Sequence, residues 1–265
     1  MATTITSGTV VSFGNTPQAV DDLLMPVGLT EDSVNIVILD VMANDLGGNA
    51  KSLYSLDDGV STGGTRPTDL LTQDLGRTEA LSTDTSLHGA KIWITADGKV
   101  GYDPLTLGVT FKAQLQALPV GQFLTDSFTY AIKLGNGTLS WATVTLRIAG
   151  VNDAPMVTGA VTGGALEDGA SISLNALAHA YDVDSPTLSV VNVPGSLPAG
   201  VSYNAATQSF ALDPGNAAYQ HLAAGATTTV TILYGVSDGT ATTPASMVFT
   251  ITGTNDAPVV SGAVT

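Results

Sequence analysis

Asn152-Asp153-Ala154-Pro155 and Asn255-Asp256-Ala257-Pro258 are two copies of one four-residue stretch, and each lies inside a longer match. Gly150 to Thr162 recurs as Gly253 to Thr265, with changes only at the second, seventh and ninth positions. The offset is 103 residues (255 − 152). Self-similarity at a fixed period signals an array of repeated units. A unit of roughly 100 residues is too long for a solenoid repeat and suits one β-sandwich domain. The repeated stretch falls where one such domain would hand over to the next, so it reads as a linker that presents an acid at a fixed place.

Composition agrees with short strands joined by turns. The chain has 265 residues, of which 44% are apolar, 12% charged and 6% aromatic, with 29 Gly and 12 Pro. Thr, Ser, Val and Ala dominate the remainder, which favours strands and turns over helices. The length allows two domains with separate cores. Eight basic residues face 23 acidic ones, a net charge of −15, and all eight precede residue 150. A half without cations cannot build a phosphate-binding patch, so nucleic acid is excluded as its partner. Acids without cationic partners repel one another unless a metal neutralises them, although sparse acids can also serve only solubility. The absence of cysteine excludes a disulfide framework and thiolate metal sites. No run of about 18 apolar residues is present, which argues against a membrane-inserted helix. The N-terminus opens on what looks like mid-domain sequence, as expected of a piece of a longer protein.

In chain order, residues 1–18 read as the end of a preceding repeat, with Gly14-Asn15-Thr16-Pro17 a worn copy of the linker. The first domain spans 19–153. It has an early strand at Val34–Leu39, a turn at Asp40–Asp45, and an irregular insertion near 57–90. A hairpin about Asp97-Gly98 follows, then a short helical turn from Phe111 to Leu118 and two closing strands, 126–134 and 139–148. The second domain spans 154–256. Strands are expected at 170–174, 187–193, 200–204, 207–212, 226–236 and 245–252, with a helix over Ala176–Tyr181 and a short helix or turn over 216–224. Residues 257–265 begin a further repeat.

Leu222-Ala223-Ala224-Gly225, Tyr234, Asp238-Gly239 and Val248 to Pro258 together resemble the VCBS and bacterial cadherin-like repeats of very large secreted proteins, RTX-type adhesins among them. The resemblance covers most of 154–258 and the two ends of the first domain. It implies an all-β chain of two tandem seven-strand Greek-key sandwiches, Ig-like or cadherin-like, arranged end to end. Ca2+ would stiffen the junctions, and neighbouring repeats of the same chain would be the principal partners. It also implies an extracellular location at a bacterial cell surface, and a monomer is expected because no hydrophobic patch marks an interface.

Ca2+ takes six to eight oxygens from carboxylates, amides and carbonyls. Asn152 and Asp153 supply two side chains, and Pro155 fixes the exit of the chain. Asp182 and Asp184, as i and i+2, face the same way in an extended stretch, and such an Asp-x-Asp is similar to the cadherin arrangement that folds back on a linker. Glu167-Asp168, near the start of the same domain, is expected to complete the shell. Asp238 is either a further ligand or a plain Asp-Gly turn. Asp256 repeats Asp153, and in this stretch of sequence it is expected to lack its partner domain. In the first domain the pattern decays, since Asn44-Asp45 is followed by Leu-Gly-Gly, so Glu31, Asp32 and Asp45 are set aside. The three histidines lack partners at catalytic spacing and no nucleophile or phosphate-loop motif is present, so no enzyme is expected. A competing reading gives the 57–90 insertion, with Trp93 nearby and Trp141 elsewhere, a glycan-binding or surface-binding role.

Overall fold

The computed structural model describes residues 3–4, 10–11, 18–57 and 69–257. Gly14–Pro17, most of the glycine-rich part of the insertion (58–68) and the second linker copy from Pro258 onward lie outside the described residues. The chain divides into two compact units, Met1–Val151 and Asn152–Thr265.

In the first unit seven strands form two sheets: β1 (Asp22–Leu24), β2 (Val37–Leu39), β3 (Ser52–Asp57), β4 (Lys91–Ile94), β5 (Val100–Asp103), β6 (Phe123–Lys133) and β7 (Leu139–Ala149). One sheet runs β1-β7-β6-β3 and the other β2-β5-β4. Strand β1 is parallel to β7, with Asp22 opposite Val144, and the other pairs are antiparallel. In the second unit β8 (Val161–Leu166), β9 (Ile172–Asn175), β10 (Ser189–Val191), β11 (Val201–Asn204), β12 (Ser209–Leu212), β13 (Thr227–Ser237) and β14 (Thr242–Thr252) repeat the plan. The sheets are β8-β14-β13-β10 and β9-β12-β11, again with a parallel first pair. The two units therefore share the order of these seven strands and the sense of their pairing, and the chain is an all-β pair of sandwiches.

Alternation drives the layering. Along β14 buried and half-buried residues alternate from Ala245 to Thr252, sending Met247, Phe249 and Ile251 inward. Successive strand side chains face opposite ways, so a period of two makes one dry face. Val144, Leu146 and Ile148 do the same in β7. A core around Tyr102, Phe128 and Leu146 fills the first sandwich, and one around Phe210, Ile232 and Phe249 fills the second. In each core a tyrosine hydroxyl reaches the chain just past the second strand. Tyr130 donates to the Val41 carbonyl at 2.8 Å, and Tyr234 to that of Ala176 at 2.6 Å.

Three local expectations need correction. Ala176–Tyr181 is not helical. Its amides close three-residue turns, Ala178 onto the Asn175 carbonyl and Ala180 onto that of Leu177, and Ala180–Tyr181 then pairs with Met156–Val157. Tertiary pairing outweighs the helix preference of Ala and Leu. The early strand begins at Val37 rather than Val34, leaving Val34 and Ile36 exposed. The helix expected over Phe111–Leu118 lies two residues earlier, as α1 (Val109–Gln116), which buries Phe111 and Leu115.

Candidate cation centre in the second unit

Asn152 opens the second unit and is held by its own amide. Its Nδ2 donates to the Asp153 carbonyl at 2.6 Å and to Asp238 Oδ2 at 2.8 Å. Asp238 sits in the turn between β13 and β14, and its Oδ1 accepts from Thr240 N at 2.6 Å and Ala241 N at 2.7 Å. Burial works against its ionisation, but the Ala241 and Thr240 amides and the Asn152 side chain outweigh it, and the carboxyl lies below the usual carboxylate range. Both oxygens are thus occupied by donors, and the residue serves as a turn former and a pin for the linker.

Asp182 and Asp184 leave the Ala180–Tyr181 ladder on a bend rather than in an extended strand. Asp182 Oδ1 accepts from Asp184 N at 3.1 Å and Ser185 N at 2.9 Å, an Asx turn that brings the two carboxyls side by side. Asp182 Oδ2 and Asp184 Oδ1 are buried and take no hydrogen bond. Asp184 is pushed upward by burial and by the Asp182 carboxyl beside it, while a hydrogen bond from the Asp153 backbone pulls the other way. The linker main chain and this acid pair are therefore neighbours. Two adjacent carboxylates with bare buried oxygens are what a hard cation neutralises. Among the described residues, no group of three or more His, Cys, Asp or Glu side chains is placed to hold a metal ion by itself. A cation on Asp182 and Asp184 would need its remaining oxygens from carbonyls, amides or water, which Ca2+ accepts.

Glu167 and Asp168 do not join this group. Strand β8 runs parallel to β14 with Leu166 opposite Thr252, which carries the residues after β8 to the far end of the unit. There Glu167, fully buried, accepts from Thr254 N at 3.0 Å through Oε2, and Asp168 Oδ2 accepts from Thr254 Oγ1 at 3.1 Å. Asp238 stands at the start of β14 and Thr254 just past its end, and an eleven-residue strand spans about 33 Å. Proximity to Asn152 along the sequence misled the expectation. Glu167-Asp168 instead flanks the second linker copy, where exposed Asp256 accepts the Asn255 amide on its carbonyl at 3.3 Å.

The first unit shows the same device. Glu31 Oε1 accepts from Val151 N at 2.9 Å, and its own amide donates to the Ala149 carbonyl at 3.0 Å. Sequence reasoning set Glu31 aside because Asn44-Asp45 breaks the pattern. The usable signal was the Glu-Asp pair itself, Glu31-Asp32 and Glu167-Asp168, each just beyond a first strand.

In the described part of the insertion, the tryptophan next to it is buried rather than presented. A cleft of about 220 Å³ is lined by Gln73, Asp74, Leu81, Ser82, Asp84 and Trp93. Trp93 is only 6% exposed, and its ring lies so close to Gly101 that a Cβ there would stand 2.2 Å from it. His88 stacks on Phe111 with ring centroids 3.8 Å apart, and His179 Nδ1 contacts the Ala160 carbonyl at 3.0 Å. No helix among the described residues is long and apolar enough to cross a membrane.

No family model and no curated protein matches the chain. Solved structures do. Extracellular cadherin domains 1–5 of protocadherin gamma B2 align over 91% of this chain with 15% identity and a TM-score of 0.40. The human desmocollin-1 ectodomain aligns over 91% with 12% identity and a TM-score of 0.39. Domains 22–24 of mouse cadherin-23 align over 89% with 15% identity and a TM-score of 0.43. The chain spans 40%, 41% and 64% of those three chains. Likeness at this level carries no residue roles and no activity; the sandwich rests on the strand pairing described above.

Proposed function

We propose that the chain is a pair of non-enzymatic extender repeats from a long secreted bacterial adhesin of the VCBS or RTX type. Its task is mechanical. Repeats in series carry a distal binding region away from the cell, and Ca2+ bound at each linker limits the linker's freedom. Two sandwiches of identical strand order joined by a recurring Asn-Asp-Ala-Pro support the array reading. The observation that carries the calcium part is the Asp182–Asp184 pair, with its bare buried oxygens beside the Asp153 backbone. Asp153, Asp182 and Asp184 are the ligands proposed for the first linker, with Asn152 holding the linker in place. Glu167, Asp168 and Asp256 are assigned to the second.

Calorimetric unfolding with Ca2+ against chelator tests this. A cation that binds only the folded form stabilises it by about 2.7 kcal/mol at a hundredfold excess over Kd. The wild type should gain a Ca2+-dependent rise in melting temperature that Asp182→Ala with Asp184→Ala removes. Because Glu167 lies at the other end of the second unit, Glu167→Gln should keep the response due to Asp182 and Asp184. A wild type indifferent to Ca2+ would remove the metal from the proposal and leave a plain tandem sandwich.

A further inference from the structure

The first unit buries a second acid pair that the calcium reading does not use. Asp22 begins β1 and Asp45 closes the turn after β2, and the two are only 8% and 7% exposed. Asp45 Oδ1 accepts from Val20 N at 2.7 Å and from the Tyr130 hydroxyl at 2.9 Å. The Oδ2 atoms of both residues are buried without a hydrogen-bond partner. Each element packed on the pair contributes a named group. Strand β6 brings Tyr130, the turn brings Asn44, and the chain before β1 brings Asp21, whose Oδ1 is taken by Thr143 N at 2.8 Å. Among the described residues, Lys51 is the cation that bears on the pair, through Asp45. Its ammonium donates to the carbonyls of Met42 at 2.6 Å and Asp45 at 2.5 Å, not to a carboxylate.

Two buried carboxylates this close, with no ion-paired partner, cannot both stay charged cheaply. Either a proton or a metal cation must relieve them. Val20 N donates to Asp45 Oδ1, and the Tyr130 hydroxyl oxygen lies 2.9 Å from the same atom. Burial and the neighbouring carboxylates keep the Tyr130 phenol protonated. A proton on one carboxyl relieves the pair with no further ligand needed.

We propose that the buried Asp22–Asp45 pair takes up one proton and forms a pH-sensitive latch on the N-terminal strand of the first unit. The latch tightens as the medium becomes mildly acidic. Burial above all, with Tyr130 and Asn44 opposing and the charges of Asp45 and Asp21 adding, moves the Asp22 carboxyl up to about 6; burial raises Asp45 as well. The sign follows from the direction: the folded form holds the proton more tightly than the unfolded chain. Stability therefore increases as pH falls through about 6 towards the ordinary carboxylate range, the reverse of the usual acid response. Charging both acids above that pH weakens the hold on residues 18–24, while Ala19 remains tied to Ser140 Oγ at 3.0 Å.

Both tryptophans, Trp93 and Trp141, lie in the first unit, so their fluorescence follows its unfolding within the intact chain. Between pH 7.5 and pH 5.5 the wild-type midpoint should rise. Asp22→Asn places a neutral amide where the protonated acid stands; its midpoint should exceed the wild type at pH 7.5 and lose that rise. Carboxyl carbon-13 NMR of the wild type should show a group of this pair titrating near 6. A flat or falling wild-type midpoint, or both carboxyls titrating below about 4.5, would overturn the latch. A Ca2+-induced rise at pH 7.5 that Asp22→Asn abolishes would overturn it too, by making the site a cation site.

Discussion

Asn152 Nδ2 lies 2.8 Å from Asp238 Oδ2, tying the first residue of the second unit to a turn 86 positions later. Asp238 thereby does two jobs. Through Oδ1 it organises the Gly239–Ala241 turn, and through Oδ2 it orients the linker amide that in turn holds the Asp153 carbonyl. Asp238→Ala removes three charge-assisted hydrogen bonds from a half-buried site, so a loss of about 1.5–3 kcal/mol is expected in denaturant unfolding of the second unit. Asp238→Asn should cost less, because its amide oxygen still accepts from the turn. The folded carboxyl is depressed below its unfolded value of 3.8. Its contribution is present above that value and lost as pH falls through the lower folded one. A pH titration of stability should show this acid-side loss in the wild type and not in Asp238→Ala.

Much of this arrangement was legible before any coordinates, and the reasons are local. The Asp97-Gly98 hairpin turn, the alternation in β7 and β14 and the recurring linker all lie within short windows, where period and turn chemistry decide the outcome. The acids were harder. Glu167 is 15 residues from Asn152 in sequence, yet the parallel pairing of β8 with β14 moves it to Thr254, 87 residues away. No periodicity reports which strand is paired in parallel. The Asp22–Asp45 pair was hidden for the same reason, since the Tyr130 that completes it comes from a strand 85 residues beyond Asp45. The Asp182–Asp184 juxtaposition was anticipated from alternation, but an Asx turn brings it about.

Asp126 anchors the insertion to the sandwich. It is fully buried in β6, and Oδ2 accepts from the Tyr102 hydroxyl at 2.7 Å and from Ser86 Oγ. Oδ1 accepts from His88 N at 3.0 Å and Ser127 N at 2.8 Å. Ser86 and His88 belong to the segment leading into β4, so one carboxylate fixes where the irregular chain rejoins the sheet. Four donors occupy its two oxygens, as a buried polar side chain requires. Tyr102→Phe deletes a single donor and should cost about 1–3 kcal/mol. Asp126→Ala strands four donors and should cost about 3–5 kcal/mol. Tryptophan fluorescence in denaturant reads both. Equal losses for the two variants would mean that Tyr102 alone carries the anchor.

The glycine that opens each linker copy is required by packing. A Cβ on Gly150 would stand 2.4 Å from the Leu118 carbonyl oxygen and 2.7 Å from Leu118 Cβ. On Gly253 it would stand 2.4 Å from the Ala223 carbonyl oxygen and 2.8 Å from Leu222 Cβ. The obstacle in each case includes main chain, which cannot swing away as a long side chain can. Each glycine also donates to the residue just before the partner of the closing strand: Gly150 N to the Gln122 carbonyl ahead of β6 at 2.9 Å, and Gly253 N to that of Ala226 ahead of β13 at 2.8 Å. The sequence repeat therefore records a crossing of two backbones at the end of each sandwich. Gly150→Ala and Gly253→Ala should each destabilise their own unit by about 1–3 kcal/mol, as overpacking does. Tryptophan fluorescence should register the first change and not the second, while calorimetry should show both. A Gly253→Ala variant as stable as the wild type would mean that the crossing relaxes freely, and the recurrence of glycine there would need another cause.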